Sequence, residues 1–255
     1  MLRPARHFLV IGTLLTAVPW ASSAKAYRPF DGTDADVAET GAFELELGPV
    51  HWYDYGGRQF LLSPVTVLNF GIFADAELVI DLQGSTALGP LEERPRTALL
   101  GTDVMLKYML HDGALQEKPG LSVALELGIL TPEINGTDRF GTSAGIIVSH
   151  RSDCGSVHFN QWSSFTRDHR FGTFTGAIVE GPSTWPVRPV SELFYAREFG
   201  AEQSLSGLLG AIWSQQAVLS FDTALRAARI GRVNAAEFRL GLTWTIEGSD
   251  DRRTL

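Results

Sequence analysis

Cysteine is nearly absent: Cys154 is the single one in 255 residues. That excludes a disulfide framework and a cysteine-rich metal site within the chain. Positive charge is also scarce, with 21 Lys+Arg against 29 Asp+Glu and a formal charge of −8. Nucleic-acid binding needs a basic footprint, so that class of partner is excluded. Past residue 26 no apolar run reaches about 18 residues, so membrane-spanning helices are not expected. Heptads, a glycine-rich phosphate loop and a cofactor fingerprint are missing, and no cofactor is expected. His51, His111, His158 and His169 show no metal-ligand spacing. What is present suffices for a fold. Hydrophobic residues make up 44% of the chain, with 15 Phe, 6 Trp and 5 Tyr, which excludes disorder.

The N-terminus reads as an address for export. Arg3, Arg6 and His7 precede an apolar run from Phe8 to Trp20, and Ala24-Lys25-Ala26 fits an A-x-A cleavage site. Residues 1–26 are therefore expected to be a signal peptide. The remainder, 27–255, is expected to be a single domain ending in a polar tail at 247–255. Cleavage would leave 18 basic against 29 acidic residues.

Period-2 alternation recurs through the rest of the chain. Ala236, Phe238, Leu240, Leu242, Trp244 and Ile246 share one face, and Glu237, Arg239, Gly241, Thr243 and Thr245 the other. The same pattern sets Phe43, Leu45 and Leu47 against Glu44, Glu46 and Gly48. It predicts twelve strands, near 42–53, 58–70, 76–84, 98–110, 120–131, 139–149, 156–166, 172–180, 187–198, 204–213, 217–228 and 234–246. The connections 85–97 and 111–119 should be the longest. A soluble sandwich and a membrane barrel both alternate, one facing water and the other a polar lumen. The even count and the strand lengths, near the ~9–11 residues that cross a bilayer, favour the barrel. The expected fold is all-β, an antiparallel up-and-down transmembrane barrel of about 12 strands, closed because lipid leaves no partner for a free sheet edge.

Several stretches carry a family likeness. They are Arg28-Pro29-Phe30-Asp31-Gly32-Thr33-Asp34 with Glu44-Leu45-Glu46-Leu47-Gly48, then Arg188-Pro189-Val190-Ser191-Glu192-Leu193-Phe194, then Leu219-Ser220-Phe221-Asp222 with Ala224-Leu225-Arg226, and last Glu237-Phe238-Arg239-Leu240-Gly241-Leu242-Thr243-Trp244. In this order and spread the chain resembles a family of Gram-negative outer-membrane β-barrels labelled as transporters and named for the phenol meta-pathway (MetA-type). The resemblance implies a barrel in the outer membrane, delivered by the secretory pathway and inserted by the barrel-assembly machinery, with outer-membrane lipid around it. It implies no particular solute. The chain departs from many such barrels at its end, where 247–255 follows Trp244-Thr245-Ile246 instead of a terminal aromatic residue.

The alternation also nominates site residues. Glu44 and Glu46 on the first strand, Asp222 and Arg226 on the eleventh, and Glu237 and Arg239 on the twelfth should meet where the barrel closes. They form either a structural ion-pair ladder or a constriction that touches solute. Glu77, Asp81, Asp103, Lys107, Glu126 and Glu192 are further lumen candidates. His150-Arg151-Ser152 resembles the His-x-Ser pair of lipid-active outer-membrane hydrolases, and a polar turn running into Asp153-Cys154-Gly155 is its plainer reading. Trp52, Tyr53, Tyr55, Trp162, Trp185, Tyr195, Trp213 and Trp244 are candidates for interfacial aromatic girdles. The leading expectation is a passive or weakly selective, non-enzymatic channel for small neutral, cationic or hydrophobic molecules. The alternatives are a closed structural or surface-interaction barrel and, more remotely, a lipid-active hydrolase.

Overall fold

A computed structural model of the protein describes residues 28–89, 96–216 and 218–246. The expected signal segment and the polar tail 247–255 lie outside the described residues. Twelve strands follow one another as β1 (Phe43–Tyr55), β2 (Arg58–Phe73), β3 (Ala76–Ala87), β4 (Thr97–His111), β5 (Ser122–Leu130), β6 (Gly141–Ser152), β7 (Gly155–Phe165), β8 (Phe171–Glu180), β9 (Val187–Glu198), β10 (Gln203–Gln216), β11 (Leu219–Ile230) and β12 (Val233–Ile246). Each pairs antiparallel with its sequence neighbours, and β1 pairs with β12 to close the barrel. The expected fold is the observed one.

The alternation that predicted the strands also sets their two faces. On β12, Ala235, Glu237, Arg239, Gly241 and Thr243 are buried, whereas Ala236, Leu240, Trp244 and Ile246 are exposed. On β5, Ser122, Ala124, Glu126 and Gly128 are buried inside, whereas Leu127 and Ile129 are exposed outside. The outer surface is an apolar band that includes Phe159, Leu193, Leu205, Leu209 and Leu225. Such a band is what a lipid-facing wall requires.

Three features were not legible beforehand. Strand β1 carries an extra residue against β12 between Leu47 and Val50, and β2 carries one against β3 between Leu62 and Val65. These bulges sit at Pro49 and at Ser63-Pro64, where a missing N–H cannot serve the ladder. The first bulge resets the phase of β1, so His51 and Tyr53 face inward beside Arg239 and Glu237. Strand β6 runs through His150-Arg151-Ser152 instead of stopping before it, leaving only residues 153–154 for the turn. A third long connection, 131–140, joins β5 to β6 and folds back on β4 through a Leu99–Ile134 bridge. The 112–121 connection holds a short 3₁₀ turn, Ala114–Gln116, whose Leu115 is buried.

The wall is testable from outside. Leu209 lies in mid-β10, 71% exposed on the outer face. Leu209→Arg is expected to destabilise the inserted barrel by about 2–4 kcal/mol if the residue sits near the bilayer midplane. Urea titration of vesicle-inserted protein measures this, and an unchanged midpoint would exclude a lipid-facing role for this surface.

Candidate functional site: an N-terminal strap inside the barrel

Residues 28–42 precede β1 and lie inside the lumen. They have no ladder of their own, so their backbone N–H groups need other acceptors. Side chains of the wall supply them. Glu46 of β1 accepts from Arg28 N at 3.0 Å. Glu192 of β9 takes two consecutive donors, Asp31 N at 2.8 Å and Gly32 N at 2.7 Å. Asn160 of β7 accepts from Thr33 N at 2.9 Å, and Ser149 of β6 from Ala35 N at 2.9 Å. Glu77 of β3 accepts from Ala38 N at 2.7 Å. Gly41 N then donates to the Gly71 carbonyl of β2 at 2.7 Å, and the chain enters β1. The segment is thus a strap that meets the wall from the closure seam round to β2.

The strap begins on the charges nominated at the seam. Arg28 Nε meets Asp222 at 3.4 Å. Its guanidinium lies over Gly48 of β1 and Gly241 of β12; a Cβ at Gly48 would sit 2.7 Å from Arg28 Nη1, and one at Gly241 would overlap Nε. Arg239 Nη1 donates to the Pro29 carbonyl at 2.6 Å, while its Nη2 meets Asp31 at 3.0 Å and Glu237 at 2.7 Å. Glu237 also pairs with Arg226 and with His51 Nε2, the latter at 2.7 Å. Glu44 accepts from Thr245 Oγ1 at 2.8 Å, and Asn69 donates to Glu46 at 3.1 Å. The six seam residues therefore fall into two groups, Glu44, Glu46 and Asp222 nearer the start of β1 and Arg226, Glu237 and Arg239 beside His51 and Tyr53. Strap residues that the strand pattern did not nominate, Arg28 to Asp31, link the two.

Elsewhere the candidates divide. Lys107 joins Glu77 at 3.2 Å and Asp34 of the strap at 3.8 Å. Asp103 pairs with Arg167 of the β7–β8 loop. Glu126 accepts from Trp162 Nε1 at 3.2 Å. The Asp81 side chain has no hydrogen bond or ion pair among the described residues. Trp162 and Tyr53 point inward, so they leave the girdle that their residue type implied; Trp162 instead packs edge-on to Phe174, with ring centroids 5.3 Å apart. Among the other girdle candidates, Trp213 and Trp244 are exposed on the outer face and Trp185 is exposed in the β8–β9 connection.

Two hydroxyl–imidazole pairs bear on enzymatic chemistry. His150 and Ser152 share the outer face, but Ser152 Oγ turns back to the Gly155 carbonyl at 3.2 Å. Inside, His158 links Ser149 Oγ (2.8 Å from Nδ1) to Glu180 (3.1 Å from Nε2). The order Ser–His–Glu is that of an acyl-transfer triad. Here Ser149 is 1% exposed and its Oγ already receives Ala35 N, so the relay holds the strap and presents no nucleophile.

The strap does not fill the lumen. Ala35 packs with Leu115, Ala124 and Ile147 on the β5–β6 side. A cavity of about 1780 Å³ remains, following the inner faces of β3 and β4 from Glu77 and Met109 to Gln83 and Gly101. Its lining holds thirteen Asp and Glu against five Lys and Arg.

No protein-family model and no curated protein matches the chain. Solved structures do. The KdgM porin superposes with a TM-score of 0.55 at 10% identity, over 80% of this chain and 99% of that one. KdgM in complex with disordered oligogalacturonate gives 0.54 at 10% identity, over the same shares. The chain has a porin fold. The CymD monoaromatic hydrocarbon channel aligns more loosely, with a TM-score of 0.47 at 10% identity over 84% of this chain and 90% of that one. The porin fold is a wall, and the strap is what this chain places within it.

Arg239 is the residue on which wall and strap both lean. Arg239→Ala leaves the buried Glu237 with only part of its counter-charge and takes a partner from the more exposed Asp31, a loss of about 3–5 kcal/mol for the broken buried pair. The expected outcome is a lower urea midpoint together with protease cleavage within 28–42 of the folded barrel. A folded variant whose strap stays resistant would show that Arg239 does not hold it.

Proposed function

We propose that the protein is an outer-membrane channel narrowed by its own strap, passing small cationic and neutral solutes. The observation that carries this is the cavity along β3 and β4, with its excess of carboxylates. Rings and walls of one charge sign tune pore selectivity, and an acidic wall attracts cations and repels anions. The porin fold and the apolar outer band support the location, as does the MetA-type resemblance of the strap and seam motifs. That label adds no solute.

Planar-bilayer recording of the refolded, heat-modifiable protein tests the function. Discrete conductance with a cation-biased reversal potential is expected, and an anion preference would overturn the proposal. Deleting residues 28–40 is expected to raise conductance several-fold. A silent full-length barrel that conducts after the deletion would make the strap a complete plug, and silence in both forms would leave a structural barrel.

Orientation has its own handle. Cys154 is exposed in the β6–β7 turn, at the barrel end where β1 begins and β12 ends. Barrels of this kind turn that end to the periplasm. A bulky maleimide-polyethylene glycol reagent is therefore expected to label Cys154 in lysed cells and not in intact ones; labelling in both would reverse the orientation.

A further inference from the structure

Asp81 stands apart from the other lumen carboxylates. Glu77, Asp103, Glu126 and Glu192 each have a cation or a donor within reach. Asp81 is partly buried, lines the cavity and takes no partner among the described residues. It faces Asp103 directly across the β3–β4 pair, where Asp103 is already engaged by Arg167. An unpartnered carboxylate facing a shielded cavity is costly unless something cationic or water completes it.

The apolar side of the same cavity is built as deliberately. Trp162 lies flat over Gly145 of β6, where a Cβ would overlap its indole ring. Gly176 of β8 makes similar room for Phe174, since a Cβ there would sit 2.8 Å from Phe174 Cε1. The indole is pinned at one end by its hydrogen bond to Glu126 and at the other by Phe174, and it stays partly exposed to the cavity. Met105 of β4 lines the same cavity, packed over Gly128. Aromatic faces and polarisable sulfur next to carboxylates attract organic cations more than inorganic ones, because they contact the apolar body as well as the charge.

From this arrangement we infer that the cavity holds a binding site for small organic ammonium ions, with the charge at Asp81 and the apolar body against Trp162, Phe174 and Met105. The inference rests on the channel reading for its purpose, naming the solute class, but the binding can be measured without conduction.

The test titrates the folded full-length protein in detergent micelles with benzylammonium chloride, using benzyl alcohol and sodium benzoate as the neutral and anionic probes, by calorimetry. Benzylammonium is expected to bind at least tenfold more tightly than either. Asp81→Asn should reduce that affinity about tenfold and remove most of the preference over benzyl alcohol. Trp162→Leu should weaken benzylammonium several-fold and benzyl alcohol with it. Asp168→Asn, at an exposed loop carboxylate, serves as the control and should change neither. Equal binding of benzyl alcohol, tighter binding of benzoate, no binding of benzylammonium, or an unchanged affinity in Asp81→Asn would each overturn the site. A barrel that conducts without binding sinks this inference alone. A silent barrel that binds sinks the channel and leaves the site.

Discussion

Every backbone polar group of a membrane wall must find its partner inside the protein, and this one requirement organises the molecule. It forces the sheet to close, β1 onto β12. Closure in turn creates an interior with two faces of very different worth. The outside must be apolar, so polar residues collect within. Inside, charges removed from bulk water need partners of their own. The strap answers both demands. It brings Arg28 to Asp222 and Asp31 to Arg239, while the carboxylates and hydroxyls of the wall satisfy its own N–H groups. Wall and strap each supply partners to groups that the other presents.

Much of the wall was legible from residues alone because a strand of this kind has only one variable, its phase. Once Phe238, Leu240 and Leu242 are placed outward, Glu237 and Arg239 must point inward. Antiparallel closure then lays them on the seam with β1, opposite Tyr53 and His51, while Glu44 and Glu46 lie opposite Thr245 and Thr243. Phase fails where a bulge inserts a residue. Beyond Pro49 the parity of β1 inverts, which hid His51 and Tyr53 and left Tyr53 with the girdle candidates. Residue type misled in the same way at Trp162. Tryptophan favours interfaces in general, yet its parity with His158 and Asn160 on β7 already placed it inside.

The strap was the part that alternation could not show. Residues 28–42 have no period because they serve neither a ladder nor a lipid face. They appeared only as the first motif of a resemblance. In the structure the scattered motifs converge: Arg28–Asp34 begins the strap, and Glu46, Gly48, Glu192, Asp222, Arg239 and Gly241 are the wall residues that receive it. Sequence distance concealed a single site. One signal was available. Arg28, Asp31 and Asp34 are charged residues outside any predicted strand or turn, in a chain whose other unplaced charges mostly fall in loops. Gly48 and Gly241 offered a second, since an inward glycine in each of two closing strands leaves room for something large between them.

What the strap leaves open is as informative as what it fills. A segment selected to seal a lumen would pack against all of its wall and leave no carboxylate without a partner. This one packs Ala35 against the β5–β6 side, where Ala124 and Ile147 are fully buried. It touches the β3–β4 wall mainly through Glu77 and Lys107. Above that contact the wall turns to Asp81, Asp103 and the glycine-bedded Trp162, and the space stays empty of protein. The empty space and the unpartnered carboxylate suit the proposed passage and its binding site, with the strap as the opposite bank.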